Sequence, residues 1–252
     1  MPRKVSWFSC GAASAVATKL AVQAYPDLEI FYCEVKEEHP SNKIFLAECE
    51  AWFGKKIKVL RDEEFDFSAK NVFRKTRYLV GPSGARCTAE LKRKLRWEVS
   101  KPDDIHFLGY TVEEIKRLER IKAAEPLVNF YPLLIEKGLT KKDCLSILER
   151  KNISLPEMYR LGYKNNNCVG CVKGQAGYWN KIRVDFPDVF QEMSLIEREL
   201  NRTICKIEWR RGGKRFLKRV FLDELPPEAG NYTSEKDIEC GILCLQASDE
   251  LS

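Results

Sequence analysis

No apolar run in this chain of 252 residues approaches the ~20 that a bilayer-crossing helix needs, and the first residues lack the apolar core of a secretory signal. No membrane partner is therefore expected, and the cytoplasm is the expected compartment. Internal repeats and low-complexity segments are missing too. Histidine is scarce: His39 falls in a polar loop and His106 in a strand, where a solvated residue and a satisfied sheet residue are the ordinary outcomes. Apolar residues at 44% and charged residues at 32% suit a soluble α/β core, or a core with a small appended region. In a reducing compartment the ten cysteines read as core residues, metal ligands or nucleophiles, not as a disulfide framework. A net charge of +6 and a pI near 8.7 favour anionic partners: nucleotides, nucleic acid or an acidic protein.

The stretch Asn165-Asn166-Asn167-Cys168-Val169-Gly170-Cys171 is the centre of the reading, because two thiolates two residues apart can clamp one metal centre. That spacing suits structural zinc, an iron–sulfur cluster or a redox dithiol. A redox dithiol should follow an apolar strand, and the lead-in here is polar, which weakens that alternative.

Strands are expected at 4–8, 28–33, 56–60, 104–109 and 127–131, alternating with helices at 15–24, 44–53, 88–97 and 112–124, so a doubly wound parallel sheet follows. Further helices are expected at 140–151, 178–185 and 189–201. The small-residue loop Ser9-Cys10-Gly11-Ala12-Ala13-Ser14 links the first strand to its helix. It reads either as an oxyanion cradle of backbone N–H groups or as a tight turn packed with small residues. Residues 61–86 lapse into an excursion or a loop over a site. Cys87 then precedes the basic helix, with Thr88 available as its cap. Arg117 and Arg120 lie three apart on one helix. Cys33 and Cys144 sit among apolar neighbours. Near the end, Arg210-Arg211-Gly212-Gly213-Lys214-Arg215 interleaves with Trp209 and Phe216, the mixture a nucleic-acid surface uses; a solvated hairpin is the plainer alternative.

The order of these pieces resembles the phosphoadenylyl-sulfate (PAPS) and adenylyl-sulfate reductase family, within the adenine-nucleotide α-hydrolase-like (PP-loop) superfamily, over most of the chain. Loop 9–14 sits where that superfamily has its Ser-Gly-Gly-x-Asp-Ser pyrophosphate loop, and Glu38-His39-Pro40-Ser41-Asn42 is similar to its loop after the second strand. Residues 109–120 resemble the Gly-x-Arg segment with its trailing arginines, and Phe130-Tyr131-Pro132-Leu133 its Tyr-Pro-Leu stretch. Cys87 precedes Cys168 by 81 residues, similar to the family spacing around a 4Fe–4S cluster, and Glu239-Cys240-Gly241-Ile242 resembles the terminal motif carrying the reductase nucleophile.

The resemblance implies a Rossmann-like five-stranded nucleotide-binding domain over 1–165. The segment 166–252 follows, with the CxxC, helices, a basic extension and the tail. It implies Cys87, Cys168 and Cys171 as ligands of a 4Fe–4S cluster, and Ser9, Cys10, Gly11, Ser14, His39, Arg117 and Arg120 as contacts to an adenine nucleotide. Cys240 is implied as the nucleophile that attacks the sulfur of an adenylylated sulfate, with a thioredoxin-like reductant releasing sulfite. Arg86 stands where the family has a second paired cysteine, which leaves the fourth iron to Cys10, Cys244 or a non-protein ligand; Ala13 replaces the Asp of ATP-using relatives. A second expectation, favoured by three-cysteine ligation and the Arg210 to Arg219 tract, is a nucleic-acid thiolation or desulfuration enzyme with nucleic acid and an ATP-like nucleotide as partners; Ala13 counts against its ATP-dependent version. A third is a non-enzymatic binding module.

Overall fold

The computed structural model describes residues 1–82, 84–212 and 214–240. Strand β1 (Lys4–Phe8), helix α1 (Ala12–Ala24), β2 (Glu29–Cys33), α2 (Ser41–Phe53) and β3 (Lys58–Leu60) form one half of the α/β unit. Helix α3 (Ala69–Thr76) and a short antiparallel pair, β4 (Val80–Gly81) and β5 (Gly84–Ala85), occupy the excursion. Next, α4 (Arg86–Thr88) runs through a π-helical stretch (Ala89–Lys94) into α5 (Leu95–Val99). The second half contains β6 (Ile105–Phe107), α6 (Ile115–Ala124), β7 (Asn129–Tyr131), α7 (Leu133–Glu136) and α8 (Lys141–Arg150). Beyond lie α9 (Glu157–Arg160), α10 (Ala176–Asp185), α11 (Pro187–Leu200) and a hairpin of β8 (Cys205–Arg211) and β9 (Lys214–Val220).

The central sheet is five-stranded and wholly parallel, in the order β3-β2-β1-β6-β7. The middle strand β1 is covered on both faces and is buried from Val5 to Phe8, whereas edge strand β3 is largely exposed. One face packs Phe8, Val16, Phe45 and Leu148 under α1, α2 and α8; the other packs Trp7, Phe31, Leu118 and Phe130. A third cluster joins Val72 and Leu91 of the excursion to Trp179, Ile182 and Ile196 of α10 and α11. Among the described residues no helix is long and apolar enough to cross a membrane.

The excursion differs from expectation in being ordered by capping. Ser68 accepts the N–H of Asn71, and the Glu37 carboxylate accepts from Ser68 Oγ at 2.7 Å and Ala69 N at 2.8 Å. Thr88 is not a cap: the helix begins at Arg86, where an ion pair to Glu90 at 2.6 Å staples the first turn. The expected strands and helices otherwise recur, shifted at their ends by up to three residues.

Gly109, past the end of β6, lies against the start of α1. A Cβ there would stand 2.4 Å from Ser14 N and 2.5 Å from its Cα, both backbone atoms. Gly109→Ala should therefore cost about 1–3 kcal/mol in denaturant unfolding. Gly11→Ala, whose Cβ meets nothing nearer than 3.6 Å, should stay close to the parent. Equal stability of the two variants would contradict this packing.

Candidate functional site

In open parallel sheets ligands bind beyond the carboxyl ends of the strands where the order reverses, here between β1 and β6. Loop 9–14 turns there, with Cys10 at φ +52°. Ser14 Oγ closes the loop: it accepts from Ser9 N at 3.1 Å and Gly11 N at 3.3 Å, and donates to Gly11 O at 2.9 Å. Ala12 N donates to Tyr159 Oη at 3.2 Å. These amides are thus engaged within the chain, and an anion entering the loop would exchange places with the two hydroxyls.

The structure places three of the expected contact residues of this region as follows. Cys10 has no exposed surface; it packs in the sheet–helix core with Cys49, its Sγ 3.9 Å from Asn42 O, and burial drives its thiol well above the ordinary range. Gly11 is not required by the chain's own packing, since an added Cβ makes only ordinary contacts. His39 holds its own loop, Nδ1 bonding Ser41 Oγ at 2.8 Å and accepting Ser41 N at 3.2 Å, with its ring edge-on to Phe186.

The reactive thiols gather elsewhere. Cys87, Cys168, Cys171 and Cys240 line one cavity, with Thr88, Lys92 and Lys173 beside them and Val35, Phe73 and Met193 among its apolar walls. Cys87 arrives on the first turn of α4. The CxxC turn is clamped by Tyr178 Oη, which accepts Cys171 N at 2.9 Å and donates to Cys168 O at 3.3 Å. Gly170 within it has φ +75°, and a Cβ there would meet Val189 at 2.7 Å.

Cys240 is brought in by the tail, whose acidic residues are seated on cations. The Glu235 carboxylate accepts from Gly177 N at 2.6 Å and Tyr178 N at 2.9 Å at the start of α10. Asp237 pairs with Lys141 at 3.3 Å and Lys164 at 3.6 Å. Glu239 pairs with Arg120 at 3.4 Å and Arg117 at 3.6 Å, while Lys173 Nζ donates to its carbonyl at 3.0 Å. Arg117 and Arg120, expected on the nucleotide, thus hold the residue next to Cys240. Cys244, with Gly241 and Ile242, lies outside the described residues.

The donor set suits a thiophilic centre: four sulfurs, two ammonium groups and dry walls. Among the described residues no three His, Cys, Asp or Glu side chains are grouped closely enough to hold a metal ion. Burial and mutual repulsion raise the Cys87 and Cys168 thiols well above their usual range and push Cys171 up to about 12. Cys240 goes the other way. Burial opposes its ionisation, but Lys92, Lys173 and a Thr88 contact at 3.8 Å outweigh burial and hold it below the usual thiol range.

No family model matches the chain, and no curated protein matches it by sequence. Among solved structures it is similar to the U34-tRNA thiolase NcsA from Methanococcus maripaludis with its 4Fe–4S cluster, at 10% identity over 79% of this chain and 72% of that one, with a TM-score of 0.42. At that distance nothing about this chain's chemistry follows from its neighbour.

Several residues of the site carry no sequence signal of their own. Lys92 is one cation in a basic helix, and Lys173 and Tyr178 fall outside any motif. Asn166, in the run of three asparagines, donates to Cys10 O at 2.7 Å and Asn42 Oδ1 at 2.8 Å, joining the CxxC lead-in to loop 9–14.

In reduced, metal-free protein Cys240 should alkylate with a midpoint below the ~8.5 of a free thiol, and Cys87, Cys168 and Cys171 with midpoints above it. A lowered pKa means that the thiolate persists to lower pH, so Lys92→Gln should move the Cys240 midpoint upward. Peptide mass spectrometry after iodoacetamide pulses across pH reads all four; a single shared midpoint would contradict the assignment.

Proposed function

We propose that the chain is an iron–sulfur enzyme that places sulfur on, or removes it from, a nucleic acid, with an ATP-like nucleotide at loop 9–14. The observation that carries this reading is the presence of Cys240 on the same cavity as Cys87, Cys168 and Cys171. The thiol expected as a free nucleophile is the fourth member of a candidate ligand set. A lining of four thiols with no histidine beside them is the donor set of a 4Fe–4S cluster. Bound there, the cluster would supply an iron at which a substrate sulfur is held. Cys87, Cys168 and Cys171 are the fixed ligands on this reading, being rooted in a helix and a clamped turn. Cys240 is the displaceable one, because it comes from a tail segment outside any helix or strand, whose last carboxylates, Asp237 and Glu239, are held by partly exposed ion pairs of small individual worth.

The chain's own residues then divide the work. Ser9, Gly11 and Ser14 would orient the nucleotide's phosphates, Lys92 and Lys173 would balance thiolate charge, and Arg117 and Arg120 would govern the tail through Glu239. A polyanionic substrate fits the one strongly basic element, the β8–β9 hairpin.

A second reading keeps one specific observation. The lowered Cys240 pKa is also what a sulfonucleotide reductase needs, since its thiolate would attack the sulfate sulfur and the nucleotide would leave as its phosphate.

One experiment separates them. Anaerobically purified protein should contain iron and sulfide. Cys87→Ser, Cys168→Ser and Cys171→Ser should each lose most of both, and Cys240→Ser should keep iron with an altered absorption spectrum. Adenylyl sulfate or its 3′-phosphorylated form, added without reductant, should leave no adduct on Cys240 by intact mass. An S-sulfonate on Cys240 would favour the reductase, and zinc without iron would overturn both readings.

A further inference from the structure

Strands β8 and β9 pack on the protein only at their base, where Cys205 and Val220 are buried and Ile207 is half-buried. From Glu208 to Arg219 every residue of described burial is exposed. The ribbon 205–220 contains seven Lys or Arg and one acid, Glu208, a net charge of +6. The whole chain also carries +6, so this element holds the entire excess and the rest of the protein is neutral on balance.

The register concentrates that charge further. Lys206 stands opposite Arg219, Arg210 opposite Arg215 and Arg211 opposite Lys214. Like charges directly opposite each other destabilise an isolated ribbon, and a bound polyanion reverses the sign of that contribution. Between these pairs Trp209 faces Phe216, ring centroids 5.6 Å and planes 15° apart, with 44% and 39% of their surfaces exposed. A cationic ribbon with an open aromatic stack combines the two parts of a single-strand binding platform: charge for the backbone and flat faces for bases.

We infer that the β8–β9 ribbon is an arm that binds an unpaired stretch of nucleic acid, with a base stacked on Trp209 and phosphates on Lys214 and Lys218, which by strand alternation share the face of Trp209 and Phe216. This rests on the nucleic-acid reading above and says where on the protein that substrate is held. Seven residues per strand at ~3.4 Å each reach roughly 20 Å, long enough to follow several nucleotides. A run of acidic side chains would meet the charge alone, whereas an unpaired nucleic acid brings a flat face with each phosphate and so matches both features of the ribbon.

The test uses the full chain and fluorescence anisotropy with a labelled single-stranded DNA, the RNA of the same sequence, the matching duplex, and polyglutamate as competitor, over a range of salt. Single strands should bind tighter than the duplex, and the two single strands compared with each other identify which nucleic acid is preferred. Trp209→Ala should weaken binding about 5- to 100-fold and Trp209→Phe should restore most of it. Lys218→Gln with Arg219→Gln should flatten the dependence of log Kd on log salt by about one to two, whether or not the Trp209 variant keeps the ribbon folded. Nucleic acid bound equally well by all variants would overturn the arm and leave the nucleic-acid reading standing. No binding to any oligonucleotide would overturn both. Polyglutamate competing as well as single strands do, or tighter binding of the duplex, would overturn the arm as a base-stacking platform.

Discussion

The ammonium of Lys92 lies 3.3 Å from Glu38 Oε1, with only 13% and 6% of the two side chains exposed. Burial disfavours the charged lysine, yet Glu38 and the thiols of Cys240, Cys168 and Cys33 hold its pKa well above the ordinary value. Removing one member of such a pair typically costs roughly 3–5 kcal/mol, because the other charge is left buried without compensation. The same carboxylate accepts from Tyr32 Oη at 2.5 Å and Asn42 Nδ2 at 2.8 Å, and Asn42 in turn receives Asn166. One buried ion pair therefore ties the loop 9–14 end of the sheet to the CxxC turn, and its lysine, together with Lys173 and against Glu38, holds Cys240 below the usual thiol range.

The sheet was legible because its strands obey a local rule. Residues 4–8 and 28–33 are short apolar runs bounded by turn residues, and helical periodicity separates them, so both the parallel order and the position of loop 9–14 follow from neighbours in sequence. The thiol set was partly legible through the spacing of Cys87, Cys168 and Cys171. What could not be read depends on contacts across long stretches of chain. Arg117 and Arg120 turn toward Glu239 some 120 positions away, Lys92 meets Glu38 across 54, and Tyr178 closes the CxxC turn from the next helix. Local propensity also misassigned Thr88, because an ion pair one turn earlier starts the helix at Arg86. Cys10 looked like a ligand-facing residue in a small-residue loop, yet the left-handed turn at that position points its thiol inward.

The two ends of the site differ in how firmly they are held. Cys87, Cys168 and Cys171 belong to a helix and a turn that pack on Leu91, Trp179 and Met193. Cys240 hangs on a chain segment fastened by Glu235 on the first amides of α10 and, nearer the thiol, by Asp237 and Glu239 on lysines and arginines, the groups an anionic substrate would also seek. That asymmetry gives physical content to a centre with three fixed sulfurs and one exchangeable one. Fold alone would not distinguish this from a sulfonucleotide site, since the same sheet serves many chemistries and the distinction lies in what surrounds the sulfur.

The central claim is that four thiols from three distant parts of the chain surround one iron–sulfur centre. An anomalous-difference map at the iron edge, from crystals of anaerobically purified protein, tests it most directly. The account predicts one compact iron peak enclosed by Cys87, Cys168, Cys171 and Cys240. Iron lying elsewhere, or a density that scatters at the zinc edge and not at the iron edge, would contradict it.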